Sequence, residues 1–440
     1  MGSNVKVQYR TIKIKEIFID HWDQFIRKNS RKIPKDMVST VVESVEKMMR
    51  CGDPKYGYAK YLCLDCGKHS KIIGFSCKSR FCSRCGKVYV ENWVNKQVER
   101  IIDVSHRHTV FTVPQELRGK IYWNRDLLKD LSDGVAEVIQ YWYRKKAKKK
   151  DYEVGIITTV HTFGRDMSFN PHIHALVTEG AIDKYKNWKE VGYIPCEYLR
   201  KSWQKVLLEI VKKNFGQEPG IKKLINDLYH RYPKGFYVNA GTRMRDARGA
   251  AQYIGRYLAR PAIAEYRIIS YDGKKVKFWY IDHKDEKRKE EELDALDFIG
   301  KLIMHVPKKH FKMVRRYGLY RRDINKLAQK IVGVHKYLKT KIKSKLKPTA
   351  IKKQRWKERL IQSFGKNPLI CPGCKSEMEL WAIWHPRYGY IYDAIAEFKK
   401  GCAEKDGGRK RRDVGRRHPS VSGRPRGQGA SQIPLSEMWI

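Results

Sequence analysis

The apolar positions of this chain change their spacing several times, and each change predicts an element. Over residues 8–50 they recur three and four apart, in IKEIFIDHWDQFIRKN and KDMVSTVVESVEKMM, the period of two helices joined by a basic, proline-containing link. A cysteine-rich stretch with neither period fills 51–86, and VYVENWVNKQVERIID at 88–103 returns to helical spacing. From residue 105 the pattern switches. HRHTVFTVP is short, β-branched and aromatic, and Pro114 closes it, which predicts a strand. A helix over about 123–149 follows. Then come EVGIITTVHTF and HIHALVTEG, two strands separated by the turn-like GRDMSFNP and able to pair antiparallel. Helical spacing covers 200–228, GFYVNAG at 235–241 reads as a short strand, and 246–260 as a helix. YRIISYDGKKVKFWYID forms a hairpin around Asp272-Gly273. Residues 283–303 read as helix, running on toward the basic KMVRRYGLYRR. The lysine-rich 321–360 is helical or extended, and beyond about 404 almost no core-forming residue remains, as in a disordered basic tail. No internal repeat stands out.

The fold class expected is α+β: a central antiparallel sheet flanked by helices, preceded by a zinc-ribbon-like domain and followed by a helical basic extension. The segments are a helical arm at 1–50, a zinc-binding domain at 51–100, the main sheet domain at 101–320 with a helical insertion near 185–234, a basic region with a CxxC knuckle at 321–402, and the tail at 403–440.

Charge narrows the partner. Lys and Arg number 93 against 47 Asp and Glu, a formal net charge of +46 over 440 residues. Such a field draws a polyanion and is weakened by salt, so a metabolic enzyme for small neutral substrates is a poor fit. A hydrophobic share of 41%, with 11 Trp, 26 Tyr and 14 Phe, supplies cores and excludes wholesale disorder. No run approaches the roughly 18 apolar residues of a membrane span. The start is basic without the apolar centre of a signal peptide, and Lys6 stands where a myristoylation signal needs Ser or Thr. No membrane partner is expected, and the default location is the cytoplasm.

The cysteines are paired and close-set, as metal ligands are. Cys63-x2-Cys66 and Cys82-x2-Cys85 are two knuckles, each followed by glycine, and together they supply a four-thiolate zinc site of ribbon type. Such a closed shell is structural, because no coordination position stays open. Cys51, Cys77 and His69 are left over, and either complete a second site or replace a ligand in the first. Lys78, Arg80, Phe81 and Arg84 lie among the knuckles and suit DNA contact as well as a solvated face. Cys371-Pro-Gly-Cys374 is a single knuckle whose partners, His385 or Cys402 among them, nothing in the sequence fixes. Cys196 stands alone and reads as packing.

His172-Ile-His174 lies on a predicted strand. Period two puts both imidazoles on one face and Ile173 on the other, a good way to offer two ligands to one divalent ion. The spacing alone is weak, since packing explains it equally well and His106-Arg-His108 repeats it. Tyr253 and Tyr257 stand four apart in a predicted helix and face one direction, with Arg256 and Arg260 near enough for phosphate. Together these residues are more specific than apart. A metal on two histidines polarises a phosphodiester, and a tyrosine can attack it and stay covalently linked. The rival readings are a zinc-containing nucleic-acid-binding regulator without strand-transfer activity, and a metal-dependent hydrolase that uses water.

CGDPKYGYAKYLCLDCGK, GFSCKSRFCSRCG, HRHTVFTVP, HTFGRDMSFNPHIHALV, QYIGRYLARP and FIGKLIMHVPKKHFKMVRRYGLYR together resemble the IS91-like rolling-circle transposases of the HUH (His-hydrophobic-His) endonuclease superfamily, over roughly residues 40–320. ICPGCKSEM also looks like the end of such proteins. The resemblance implies an HUH nuclease domain behind an N-terminal zinc-binding domain. It implies His172 and His174 as ligands of Mg²⁺ or Mn²⁺ and Tyr253 and Tyr257 as nucleophiles, with Tyr253 preferred as the first to act. A third ligand is usual. His161, Gln252 and Asp166 are candidates, and His161 is favoured. The implied reaction cuts single-stranded DNA to a 5′-phosphotyrosine and a free 3′-OH, then rejoins strands. The partners expected are single-stranded DNA, transposon-end hairpins and target DNA. No GxxxxGK[ST] loop is visible, so unwinding would fall to a host helicase or to replication.

Overall fold

The computed structural model describes residues 12–79, 81–148, 151–191, 195–241, 243–258, 261–282, 285–340, 357–358, 361 and 367–407. The chain forms two compact units. One takes Met1–Met49 and Lys78–Lys352, the other Arg50–Cys77 and Lys353–Ile440. This division differs from the expected segments, because the first part of the cysteine-rich stretch folds with the distant C-terminal knuckle.

In the smaller unit the strands β1 (Tyr58–Leu62) and β2 (Ser70–Gly74) form a hairpin around the first knuckle. Two strands missed in the sequence, β13 (Glu379–His385) and β14 (Gly389–Asp393), follow the last knuckle. The order is β14-β13-β1-β2, all antiparallel, with Tyr58 opposite Trp384 and Leu62 opposite Glu379. Alternation along β1 buries Ala59 and Tyr61 against Met378, Ile383 and Leu369, and Cys63 and Cys371 belong to the same core. A helix at Ala394–Gly407 follows β14 and covers the residues where the basic tail was expected to begin. The remainder of that tail lies outside the described residues, as does most of the lysine-rich stretch beyond residue 340.

The larger unit is built on an antiparallel sheet of order β12-β4-β5-β3-β7. Its centre is β4 (Glu153–Phe163), β5 (Phe169–Ile182) and β3 (His106–Thr112). The edges are β12 (Val314–Gly318) and the short β7 (Val238–Asn239). Both faces are covered, which is why β4 reads as a continuous apolar, β-branched run. On one face Ile156, Val160, Ile173 and Val177 pack with α4 (Gln115–Trp123), α5 (Leu127–Ala147) and α6 (Cys196–Phe215) in one core. On the other, Ile157 and Leu176 meet Ala250, Ala251 and Ile254 of α8 (Ala247–Leu258), and α10 (Asn325–Thr340) adds Ala328 and Val332. The arm helices α1 (Ile14–Asn29) and α2 (Val38–Arg50), the latter as far as Met49, belong to the same unit, and α1 packs on α9 (Ala295–Ile303), where Phe25 lies beside Gly300, and buries Phe18, Trp22 and Phe25. Among the described residues no helix is long and apolar enough to cross a membrane.

Residues 283–303 are not one helix. RKEEELD forms β11 (Arg288–Asp294), which pairs with β10 (Lys275–Ile281) beside β9 (Ile268–Tyr271), and α9 starts only at Ala295. The glutamates favour helix intrinsically, but cross-strand pairing overrides that: Glu290 meets Lys277 at 2.9 Å and Glu292 meets Lys275 at 3.2 Å. The basic KMVRRYGLYRR likewise contributes an edge strand, β12, paired along β4.

Candidate metal and nucleophile site

Three histidines come together on the α8 face of the main sheet. His172 and His174 project from β5, and His161 of β4 stands directly opposite His172 in the ladder. One ligand atom from each lies within 4.8 Å of the others. Ring centroids are 4.8 Å apart for His161 and His174, 4.9 Å for His172 and His174, and 5.4 Å for His161 and His172. His161 and His174 are buried and His172 is half-buried. His172 Nδ1 donates to the Asn170 carbonyl at 2.7 Å, which keeps the proton there and makes Nε2 the nitrogen with a lone pair to offer an ion. A buried set of three nitrogen donors, one oriented by a backbone carbonyl, fits a divalent ion with further positions left for oxygen ligands. Of the other third-ligand candidates, Gln252 is exposed, and the Asp166 carboxylate accepts from the Ser168 amide and hydroxyl within the β4–β5 turn.

Tyr253 reaches the same place from α8. Its hydroxyl lies 3.2 Å from His108 Nδ1, and His108 Nε2 lies 2.8 Å from His174 Nδ1. Burial, then the nearby His172, pushes the His108 ring down to about 4, so it is neutral at physiological pH. The helix can approach closely because Gly255, between the two tyrosines, has no side chain. A Cβ there would stand 2.2 Å from Cγ2 of Val94 on α3 (Ser83–Val98). The side chains of Arg256 and Tyr257, and all of Arg260, lie outside the described residues. His108 escaped the sequence reading, which took His106-Arg-His108 only as a reason to distrust histidine pairs. The signal was present: strand period sets His106 and His108 on one face, and that strand pairs with the one carrying His174.

The cysteines assort differently from the expectation. Cys63 and Cys66 join Cys371 and Cys374, not Cys82 and Cys85, in a group whose sulfurs lie within 4.8 Å of one another. Cys63 Sγ is 3.3 Å from Cys374 Sγ, and Cys66 Sγ is 3.8 Å from Cys371 Sγ. Pairing of β1 with β13 is the cause, since it carries the C-terminal knuckle to the first. The His69 ring, 3.4 Å from Cys66, and then the Lys68 amide pull the Cys66 thiol down to about 6. The Cys63 thiol has the Cys66 amide to lower it, yet burial and the neighbouring thiols push it up to about 12. Four crowded sulfurs of this kind, one ionised near neutrality, suit a tetrahedral zinc. His385 takes no part: its Nδ1 accepts from the Arg387 amide at 3.1 Å, and its ring stacks on Phe75. The Cys402 side chain lies outside the described residues.

Cys51 and Cys77 belong to the smaller unit and Cys82 and Cys85 to the larger. The Cys77 amide donates to Cys51 Sγ at 3.4 Å, while Cys82 is the N-cap residue of α3 and Cys85 sits in its first turn. Lys78 and Arg84 are exposed, and Arg80 lies outside the described residues.

Comparison with known proteins agrees along most of the chain. A family model described as "Transposase zinc-binding domain" matches residues 17–113, and one described as "Putative transposase" matches 155–327. The "Transposase for insertion sequence element IS801" of Pseudomonas savastanoi pv. phaseolicola is 30% identical over 292 residues, 63% of this chain and 69% of the relative. The "Putative transposase y4qJ" of Sinorhizobium fredii is 23% identical over 330 residues, 71% of this chain and 81% of that one. No solved structure matches the chain.

Proposed function

The chain belongs to the IS91-like family of two-tyrosine transposases, and we propose that it cuts and rejoins single-stranded DNA at transposon ends through a tyrosine nucleophile, with an HUH-type histidine centre. One observation carries this reading: three histidine donors lie within 4.8 Å of one another, and the Tyr253 hydroxyl is one imidazole away from them. His161, His172 and His174 would hold Mg²⁺ or Mn²⁺, whose role is to draw charge from the phosphoryl oxygens. Tyr253 Oη forms the bond to phosphorus, and the bond from phosphorus to the 3′ oxygen breaks. The phenolic proton of Tyr253 leaves to water or a phosphate oxygen and the departing 3′ oxygen takes up a proton, so the products are a 5′-phosphotyrosine and a free 3′-OH. The phosphodiester energy is kept in the tyrosine ester, so a 3′-OH can attack it later and rejoin a strand. Tyr257 would serve as the second nucleophile in a rolling-circle route. The net charge of +46 supplies the track for the strand. The zinc thiolates are structural.

The test is a labelled single-stranded oligonucleotide from the element end, incubated with Mg²⁺ or Mn²⁺ and run on a denaturing gel. A covalent protein–DNA band is expected. It should vanish in the Tyr253→Phe/Tyr257→Phe double variant and in His172→Ala/His174→Ala. Cleavage that survives both Tyr→Phe changes would mean that water is the nucleophile. DNA binding with no covalent product would make the protein a zinc-containing regulator.

A further inference from the structure

We infer that His108 is a positioning residue: it relays the state of the His174 ring to the Tyr253 oxygen through a hydrogen-bond chain whose direction is set by metal occupancy. This rests on the reading of His161, His172 and His174 as metal ligands and Tyr253 as nucleophile. The chain has two links, 2.8 Å from His174 Nδ1 to His108 Nε2 and 3.2 Å from His108 Nδ1 to the Tyr253 hydroxyl. The first is held by the sheet, because β3 and β5 are paired with Val110 opposite His174 and His108 opposite Leu176. The rings of His108 and His174 lie nearly parallel, 5.1 Å between centroids at 15°. His108 is only 6% exposed, so water competes little for either nitrogen.

A neutral imidazole has one N–H donor and one acceptor nitrogen, and the two must alternate along such a chain. Consider His174 coordinating through Nε2. Its proton then sits on Nδ1 and is donated to His108 Nε2. The His108 proton must therefore sit on Nδ1, and it is donated to the Tyr253 oxygen. In the opposite direction Tyr253 donates to His108 Nδ1, and His108 donates to His174 Nδ1. The His174 proton then sits on Nε2 and blocks coordination there. An ion on His174 Nε2 and a tyrosine that donates to His108 are thus mutually exclusive.

Two consequences follow for the loaded site. The Tyr253 oxygen accepts an N–H at a fixed angle, which aims its remaining lone pairs and favours developing negative charge on it. His108 has no vacant nitrogen to take the phenolic proton, so that proton leaves by another acceptor, water or a phosphate oxygen of the DNA. His108 orients the nucleophile and is not its general base.

The full-length protein with ¹⁵N-labelled histidine reports this directly. Long-range ¹H–¹⁵N spectra distinguish the tautomers, and Mg²⁺ is diamagnetic. With Mg²⁺ bound, both His108 and His174 should carry their protons on Nδ1, and His108 protonated on Nε2 under that condition would overturn the inference. Two variants separate the links. A glutamine amide reaches toward the Nε2 position and an asparagine amide toward Nδ1. His108→Asn, which removes the partner of His174, should weaken Mn²⁺ binding, read by electron paramagnetic resonance, about 10–100-fold. His108→Gln should hold Mn²⁺ within a few-fold of wild type yet slow adduct formation at saturating metal about tenfold or more. Wild-type rates in His108→Gln would sink the link to Tyr253. A wild-type protein with the expected tautomers but no covalent adduct would sink the nucleophile reading and leave the relay standing.

Discussion

His106 and His305 are buried imidazoles that stand apart from the three-histidine group. His106 bonds Tyr320 in the core on the α8 face of the sheet, and His305 holds Thr162 at 3.1 Å and the Met167 carbonyl at 3.0 Å. Burial pushes each ring down to about 4, against about 6.5 for an unfolded histidine. Between those values the unfolded chain binds protons that the folded chain refuses, so stability falls as pH drops from about 6.5 to 4. Each ring contributes up to roughly 3 kcal/mol of this loss. Urea titrations should show a midpoint that declines steadily over that window, and His305→Gln should lose about one proton of slope at some cost at neutral pH. An unchanged slope in His305→Gln would show that another group governs acid unfolding. At this scale His172, His174 and Tyr253 were legible because strand and helix periods set partners side by side. His108 was not, because its meaning depends on which strand lies next to it, and one strand's spacing does not say.

One glycine lets helix α8 lie close against α3. Gly255 faces α3, and a Cβ would strike the Val94 methyl at 2.2 Å, with Val90 3.8 Å away. Val94 is β-branched and has little freedom to turn aside. Gly255→Ala should therefore push α8 from α3, cost about 1–3 kcal/mol by overpacking, and slow adduct formation by shifting Tyr253 from His108. Adding Val94→Ala removes the obstructing methyls and should restore much of both. A double variant as slow as Gly255→Ala alone would assign the defect to something other than this contact. Element types were mostly readable from spacing here, including β4, β5 and α8. The failures have one cause. β11 and β12 are polar or basic edge segments whose strand character comes from a neighbour: Lys275 and Lys277 facing the glutamates, or the β4 edge. Local propensity carries no trace of either.

At the scale of the whole chain, the zinc ligands are the least local feature. Cys63 and Cys374 are 311 positions apart and 3.3 Å from each other. Sequence spacing pointed to the next knuckle along, Cys82-x2-Cys85, because short loops are the only pairing that spacing can express. The strand order β14-β13-β1-β2 makes the other choice. The smaller unit gains its core from both ends of the chain at once, and a β1–β2 hairpin alone would be marginal in water. A thiolate zinc that joins the two ends supplies folding free energy outright, with structural sites worth about 10–16 kcal/mol in apparent binding. The set of Cys63, Cys66, Cys371 and Cys374 predicts one zinc ion in the smaller unit. Cys371→Ser/Cys374→Ser should lower the zinc content by one ion per chain in elemental analysis and remove the same zinc as Cys63→Ser/Cys66→Ser, so the four-fold variant loses no more. Cys82→Ser/Cys85→Ser should leave that ion in place. If instead Cys63→Ser/Cys66→Ser and Cys82→Ser/Cys85→Ser removed the same ion, the knuckles would pair by proximity in sequence after all. Because Tyr253, His108 and the three histidines all belong to the larger unit, loss of the Cys371 zinc should spare covalent reaction with a short oligonucleotide at saturating concentration. A Cys371→Ser/Cys374→Ser protein that lost that reaction as fully as Tyr253→Phe/Tyr257→Phe would show that the zinc supports the chemistry and not only the fold of its own unit.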